Sequence, residues 1–146
     1  MGRFYQHLEF GEQLGKITRL KYIDELIDKE CYEDAASQYE KLRDTDNEKY
    51  KECCYRAGEK RYDKGLDEEN NNPTKDLKYA INLFTNAGDY KDSKTMADEC
   101  KYQYVKKSKT YGFYAPNGFY IEDSIVSEYI KYLKEIDYKD SREIFK

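Results

Sequence analysis

The pentapeptide DYKDS occurs twice, beginning at Asp89 and again at Asp137, 48 residues apart. It lies in two stretches that align without gaps, NLFTNAGDYKDSKTM (82–96) and KYLKEIDYKDSREIF (131–145). A more diverged copy is SQYEKLRDTDNEKYKECCY (37–55), whose Cys53 and Tyr55 match Cys100 and Tyr102 at a spacing of 47. Repetition at this period constrains the fold more than any other feature. Each copy has to be a supersecondary unit that buries its apolar face against its neighbours.

Every copy reads as helix, tight turn, helix. In the middle copy Leu77, Ala80, Ile81, Phe84 and Ala87 form one helical stripe. Gly88 supplies the permissive residue just past a helix end, and Asp89, with Asp92 three residues on, is placed to cap the next helix. That second helix continues through Met96, Ala97, Cys100 and Tyr104. In the last copy the stripe is Ile125, Val126, Tyr129, Leu133 and Ile136, with Asp137 as the cap. In the first it is Tyr32, Ala35, Ala36, Tyr39 and Leu42, followed by Thr45 and Glu48 in a capping-box pattern. Tyr90 and Tyr138 are expected to plug the seams between paired helices. An Asp-rich turn also invites a cation, but calcium loops need more oxygen ligands at fixed spacing, so capping is the preferred reading.

The residues Ala80, Phe84, Gly88, Asp89, Tyr90, Asp92, Ser93, Cys100 and Tyr102, and then Asp137 to Ser141, carry a resemblance. Segments such as CYEDAASQYEKL (31–42) and LKYAINLFTNAGDYKDS (77–93) resemble tetratricopeptide and Sel1-like helical repeats, and more narrowly a bacterial variant built on a GDYKDS…ECKY frame. The resemblance covers residues 31–108 and 121–146. It implies an all-α antiparallel helix-pair array, a TPR-like α-solenoid of about 2.5 repeats, that serves as a protein-interaction scaffold. It brings no catalytic residue with it. The period departs from the usual one of about 34, and the usual terminal proline is missing.

A single helical-repeat domain over 1–146 follows: a capping segment at 1–30, repeats at 31–64 and 75–110, and a partial repeat at 121–146. The capping helix is expected over 16–29 through Ile17, Leu20, Ile23 and Ile27, after a short turn carrying His7. GLDEENNNPTKD (65–76) reads as a solvated, mobile loop leading into a helix near Thr74. The insertion YGFYAPNGFYI (111–121) reads as an aromatic hairpin turning at Pro116, Asn117 and Gly118. Phe113 and either Phe119 or Tyr120 would pack on the helices. The candidate partner contacts are Tyr111, Tyr114, Pro116, Asn117, Phe119 and Tyr120.

Charged residues and hydrophobic residues each make up 38% of the chain, so the core has to be economical, and 17 Tyr and 6 Phe help to supply it. Tyr5, Tyr22, Tyr62, Tyr111, Tyr114 and Tyr120 fall off the core stripes and could anchor a partner. The net charge of −4 argues against a nucleic-acid binder. Lys101, Lys106, Lys107 and Lys109 close to Tyr102, Tyr104 and Tyr111 keep phosphate contact with stacking as the alternative.

Cys31, Cys53, Cys54 and Cys100 make no C-x-x-C, and with His7 as the sole histidine no structural zinc set is expected. Reduced thiols of a cytoplasmic protein are the plain reading. Of the adjacent Cys53 and Cys54, only one is expected to face the core squarely. No phosphate loop, nucleophile elbow, signal peptide or membrane span is present, and no cofactor is implied. The expected function is a non-enzymatic protein-binding module or scaffold, including an inhibitor or regulator of bacterial or phage origin.

Overall fold

The computed structural model describes residues 2–111 and 124–145, with side chains described over 14–108 and 124–145. The described residues form seven helices: α1 (Gly2–Asp28), α2 (Tyr32–Lys41), α3 (Glu48–Leu66), α4 (Pro73–Ala87), α5 (Ser93–Tyr111), α6 (Ser124–Glu135) and α7 (Ser141–Ile144). Each helix packs chiefly on its neighbours in the chain, and α3 against α4 is the most extensive pairing.

The expected stripes hold in outline. Leu77, Ala80, Ile81, Phe84 and Ala87 of α4 are all buried, as are Ala35, Ala36 and Tyr39 of α2 and Val126 and Leu133 of α6. Two expected members do not hold. Ile136 lies one residue past the end of α6 and is 43% exposed, and Ile17 of α1 is 51% exposed. The turn expected around His7 is also absent, because α1 is one continuous helix from Gly2. No proline interrupts that stretch, and Gly11 and Gly15 lower helix propensity without ending the helix.

Helix starts differ from the expected caps by a few residues. Asn47, not Thr45 with Glu48, caps α3, and its side-chain oxygen accepts from the Lys49 amide at 2.8 Å. For α5, the Met96 amide donates to the Asp92 carbonyl at 2.9 Å, so the helix begins at Asp92–Ser93 and Asp89 stays in the turn. For α7 the cap position is Asp140, and Asp137 adopts φ +52° in the turn before it. Helix ends follow a common rule. Glu30, Arg43 and Asp137 all take left-handed φ, and the next amide reaches back five residues: Cys31 to Leu26, Asp44 to Tyr39 and Tyr138 to Leu133. Gly88 has φ +61°, as its residue type suggests.

The repeated DYKDS is the joint between successive helix pairs. The Tyr55 hydroxyl of α3 donates to Asp92 Oδ1 at 2.6 Å, and the Tyr102 hydroxyl of α5 donates to Asp140 Oδ1 at 2.5 Å. The same two rings sit edge-on or tilted to Tyr90 and Tyr138, at centroid distances of 5.4 and 5.6 Å. Lys91 and Lys139, at φ +45° and +46°, turn their ammonium groups over these rings at 5.1–5.6 Å. Ser93 and Ser141 are fully buried beneath the turns and donate to the carbonyls of Tyr90 and Leu133. The tyrosine–aspartate bond, the tyrosine pair and the lysine over the rings thus recur at the sequence period of 47–48, while the two serines bond different carbonyls.

The close approach of α3 and α4 has its own cause. A Cβ on Gly58 would lie 3.0 Å from the Phe84 ring, and one on Gly65 would lie 2.6 Å from Leu77 Cγ and Cδ2. The two glycines are seven residues apart on one side of α3, and they admit α4 where a side chain would not. Gly65→Ala is expected to lower stability in urea unfolding by about 1–3 kcal/mol through overpacking, despite a helix-propensity gain of about 1 kcal/mol.

The joints predict a second effect. Hydrogen bonding to Asp92 together with burial pushes Tyr55 up to about 12, and burial together with the Asp140 bond pushes Tyr102 up to about 12. Unfolded tyrosine titrates near pH 10, so above that pH the folded chain binds more protons than the unfolded one and stability falls. The contribution is complete below pH 10 and is lost between about pH 10 and 12. Chemical denaturation at stepped pH is expected to show this decline, and a Tyr55→Phe/Tyr102→Phe variant is expected to show a shallower one.

Candidate interaction surface

The face that departs from the joint pattern is at the first helix pair. Helix α1 has 27 residues and α2 only 10, lengths of about 40 and 15 Å. Helix α1 therefore outruns its partner, and it is held by buried Ile23 and Leu26 and by half-buried Leu20 and Ile27 near its C-terminal end. Leu14, Ile17 and Tyr22 are left 49%, 51% and 48% exposed.

Between α1 and the C-terminal half of α2 lies a cleft of about 400 Å³, lined by Gly15, Thr18, Arg19, Tyr22, Gln38 and Lys41. Arg19 Nη1 donates to Gln38 Oε1 at 3.0 Å, which ties the two walls together. A Cβ on Gly15 would meet nothing within 4 Å, so this wall is open. Among the described residues no carboxylate lines the cleft. Arg19 and Lys41 line it, Lys16, Lys21 and Arg43 lie near them in sequence, and none of the five takes part in an ion pair among the described residues. The acids beside them in sequence are engaged elsewhere: Glu40 accepts from the Tyr50 hydroxyl at 2.8 Å, and Asp44 accepts from Asn47 at 3.0 Å.

Arg61, in the body of the array, is fully compensated. Arg61 makes a two-pronged pair with Glu33 at 2.9 and 3.0 Å, reaches Asp76 at 2.8 Å and lies 4.5 Å over the Tyr79 ring. The Glu33 bonds are the main cause of its raised pKa. Burial acts to raise Asp76, but bonds from Arg61 and Asn70 outweigh it and hold the carboxyl below its usual range. Asn70 also donates to the Lys64 carbonyl at 2.8 Å, so this residue of the 67–72 loop bridges α3 and α4. Nothing in the residue pattern around Arg61 signalled this hub, because its partners are 28 and 15 residues away.

Of the tyrosines expected off the core, Tyr22 is exposed at the cleft. Tyr62 is half-buried against the core, and burial pushes its phenol up to about 12. The backbone of Tyr111 belongs to α5, so the first residue of the insertion expected over 111–121 is helical. The Tyr5 and Tyr111 side chains and residues Phe113, Tyr114, Pro116, Asn117, Gly118, Phe119 and Tyr120 lie outside the described residues. The stacking geometry of the alternative reading is not available at Tyr102 and Tyr104, which are 5% and 4% exposed. Lys101 lies 4.3 Å over the Tyr132 ring and Lys106 lies 5.1 Å over Tyr102.

Cys53 and Cys54 are both buried, contrary to the expectation for adjacent residues, because α3 is covered by α2 on one side and α4 on the other. Burial pushes Cys53 and Cys54 up to about 11 and Cys100 up to about 12, which suppresses their thiolates. Cys31 is only half-buried at the start of α2. No group of three or more His, Cys, Asp or Glu among the described residues could hold a metal ion, and no described helix is long and apolar enough to cross a membrane. Comparison with family models, curated proteins and solved structures gives no match. In a thiol-labelling time course Cys31 is expected to react first, while Cys53, Cys54 and Cys100 react at the rate of unfolding. Rapid labelling of Cys100 in native buffer would contradict this burial.

Proposed function

We propose that the chain is a non-enzymatic protein-interaction scaffold, a TPR-like array of antiparallel helix pairs that presents its surface to a protein partner. One observation carries the reading: the Tyr55–Asp92 and Tyr102–Asp140 joints repeat one contact set along a chain of helices that pack on sequence neighbours. Arrays of that kind offer extended surfaces in place of an enclosed pocket. The exposed aromatic and aliphatic side chains at the first helix pair supply anchors of the type that interfaces use. Work as an inhibitor or regulator, by occupying a partner's surface, belongs to the same reading, as does an additional contact through the 111–121 segment. A cytoplasmic setting suits the free thiols.

The experiment is capture of partners from native extract by tagged protein after nuclease digestion, with mass spectrometry and competition by excess untagged protein. A competable protein partner that survives the nuclease is the expected result. Loss of all captured material on nuclease treatment would move the assignment to nucleic acid. Capture of nothing competable would overturn the scaffold reading.

A further inference from the structure

We infer that the cleft between α1 and α2 is a docking site for a short acidic protein segment carrying an aliphatic or aromatic residue. The inference rests on the scaffold reading and names the chemistry of its partner. Charge complementarity selects that occupant. The cleft has Arg19 and Lys41 in its walls, Lys16, Lys21 and Arg43 near them in sequence, and no carboxylate in its lining among the described residues, in a chain whose net charge is −4. Thr18 and Gln38 add polar groups, and half-exposed Tyr22 offers apolar contact. Lys41 lies in the last turn of α2, where a cation also offsets the helix dipole, and Arg19 binds Gln38. Those local roles leave Lys16 and Lys21 on α1 unaccounted for.

Dimensions favour a short segment over a nucleic acid. The α1 wall from Gly15 to Tyr22 spans about 10 Å, room for about three residues of extended chain. A polyanion continuing along α1 would meet the exposed carboxylates of Asp24, Glu25 and Asp28 within the next two turns. A peptide with two or three acids ends before reaching them. Arg19 and Lys41 would pair with its carboxylates while Tyr22 covers its apolar side chain.

The test uses the full chain and three fluorescent probes: a pentapeptide alternating three Asp with Leu and Tyr, the same peptide with Lys for Asp, and a single-stranded oligodeoxynucleotide of similar charge. Anisotropy is expected to show binding of the acidic peptide alone, weakening as salt rises. Lys41→Glu/Arg43→Glu is expected to weaken it at least tenfold, with a melting temperature lowered by only a few degrees through the lost helix-dipole contact. Lys131→Glu/Lys134→Glu on α6 is expected to change it less than twofold. Failure of the acidic peptide to bind, an equal response from both variants, or tighter binding of the oligonucleotide would each overturn the cleft assignment. A partner captured from extract equally well by wild type and by Lys41→Glu/Arg43→Glu would overturn the cleft too, yet leave the scaffold reading standing.

Discussion

A tyrosine ring buried between helices with its hydroxyl on a carboxylate is the interaction on which the rest of this structure depends. The chain is too rich in charge to build its core from aliphatic side chains alone. Tyrosine solves this by burying an apolar ring while its phenol finds a partner at the edge of the core. The solution recurs: Tyr50 donates to Glu40, Tyr55 to Asp92, Tyr102 to Asp140, Tyr132 to Asp98 and Tyr138 to Glu99. Each bond also places a charge. Glu99 accepts from Tyr138 and Gln103 and pairs with Lys139 at 2.7 Å, and these contacts outweigh burial to hold its carboxyl below the usual range. A buried hydroxyl left without a partner would cost about 1–3 kcal/mol, so ring and carboxylate positions have to be chosen together. That coupling is what the DYKDS frame encodes.

Much of this was legible in the residues. The stripes of α2 and α4 follow from spacing alone, and the repeat announced that one turn is used twice. The meaning of that turn was not legible. Asp89 and Asp137 look like helix caps because the first Asp of a turn before a helix commonly is one. Here the left-handed Lys91 and Lys139 delay the helix by three residues and hand the tyrosine contact to Asp92 and Asp140. Lysine, glutamate, arginine and aspartate at positive φ carry no sequence signal of the kind glycine gives at Gly88. The burial of both Cys53 and Cys54 was hidden for a different reason: a helix with partners on two sides buries a wider arc than any single stripe shows.

The cleft was the least legible part. Its cations are scattered over α1 and α2, and in the sequence they look like the mixed charge of an ordinary solvated face. Only packing separates them from their acids, because the Tyr50–Glu40 and Asn47–Asp44 bonds draw those carboxylates toward α3. The first helix pair also lacks the YKDS turn, so α1 is joined by apolar contacts at one end and by Arg19 to Gln38. Where the joint is missing, surface is left open. Tyr22, singled out as an off-core ring, lies on that surface.

Double-mutant cycles at the two joints test the central claim most directly, pairing Tyr55→Phe with Asp92→Ala and Tyr102→Phe with Asp140→Ala and measuring unfolding free energies in urea. The recurring contact set predicts a favourable coupling of about 0.5–1.5 kcal/mol at each joint, similar in size at both. Additive losses, with no coupling at either pair, would contradict a tyrosine–aspartate joint between successive copies.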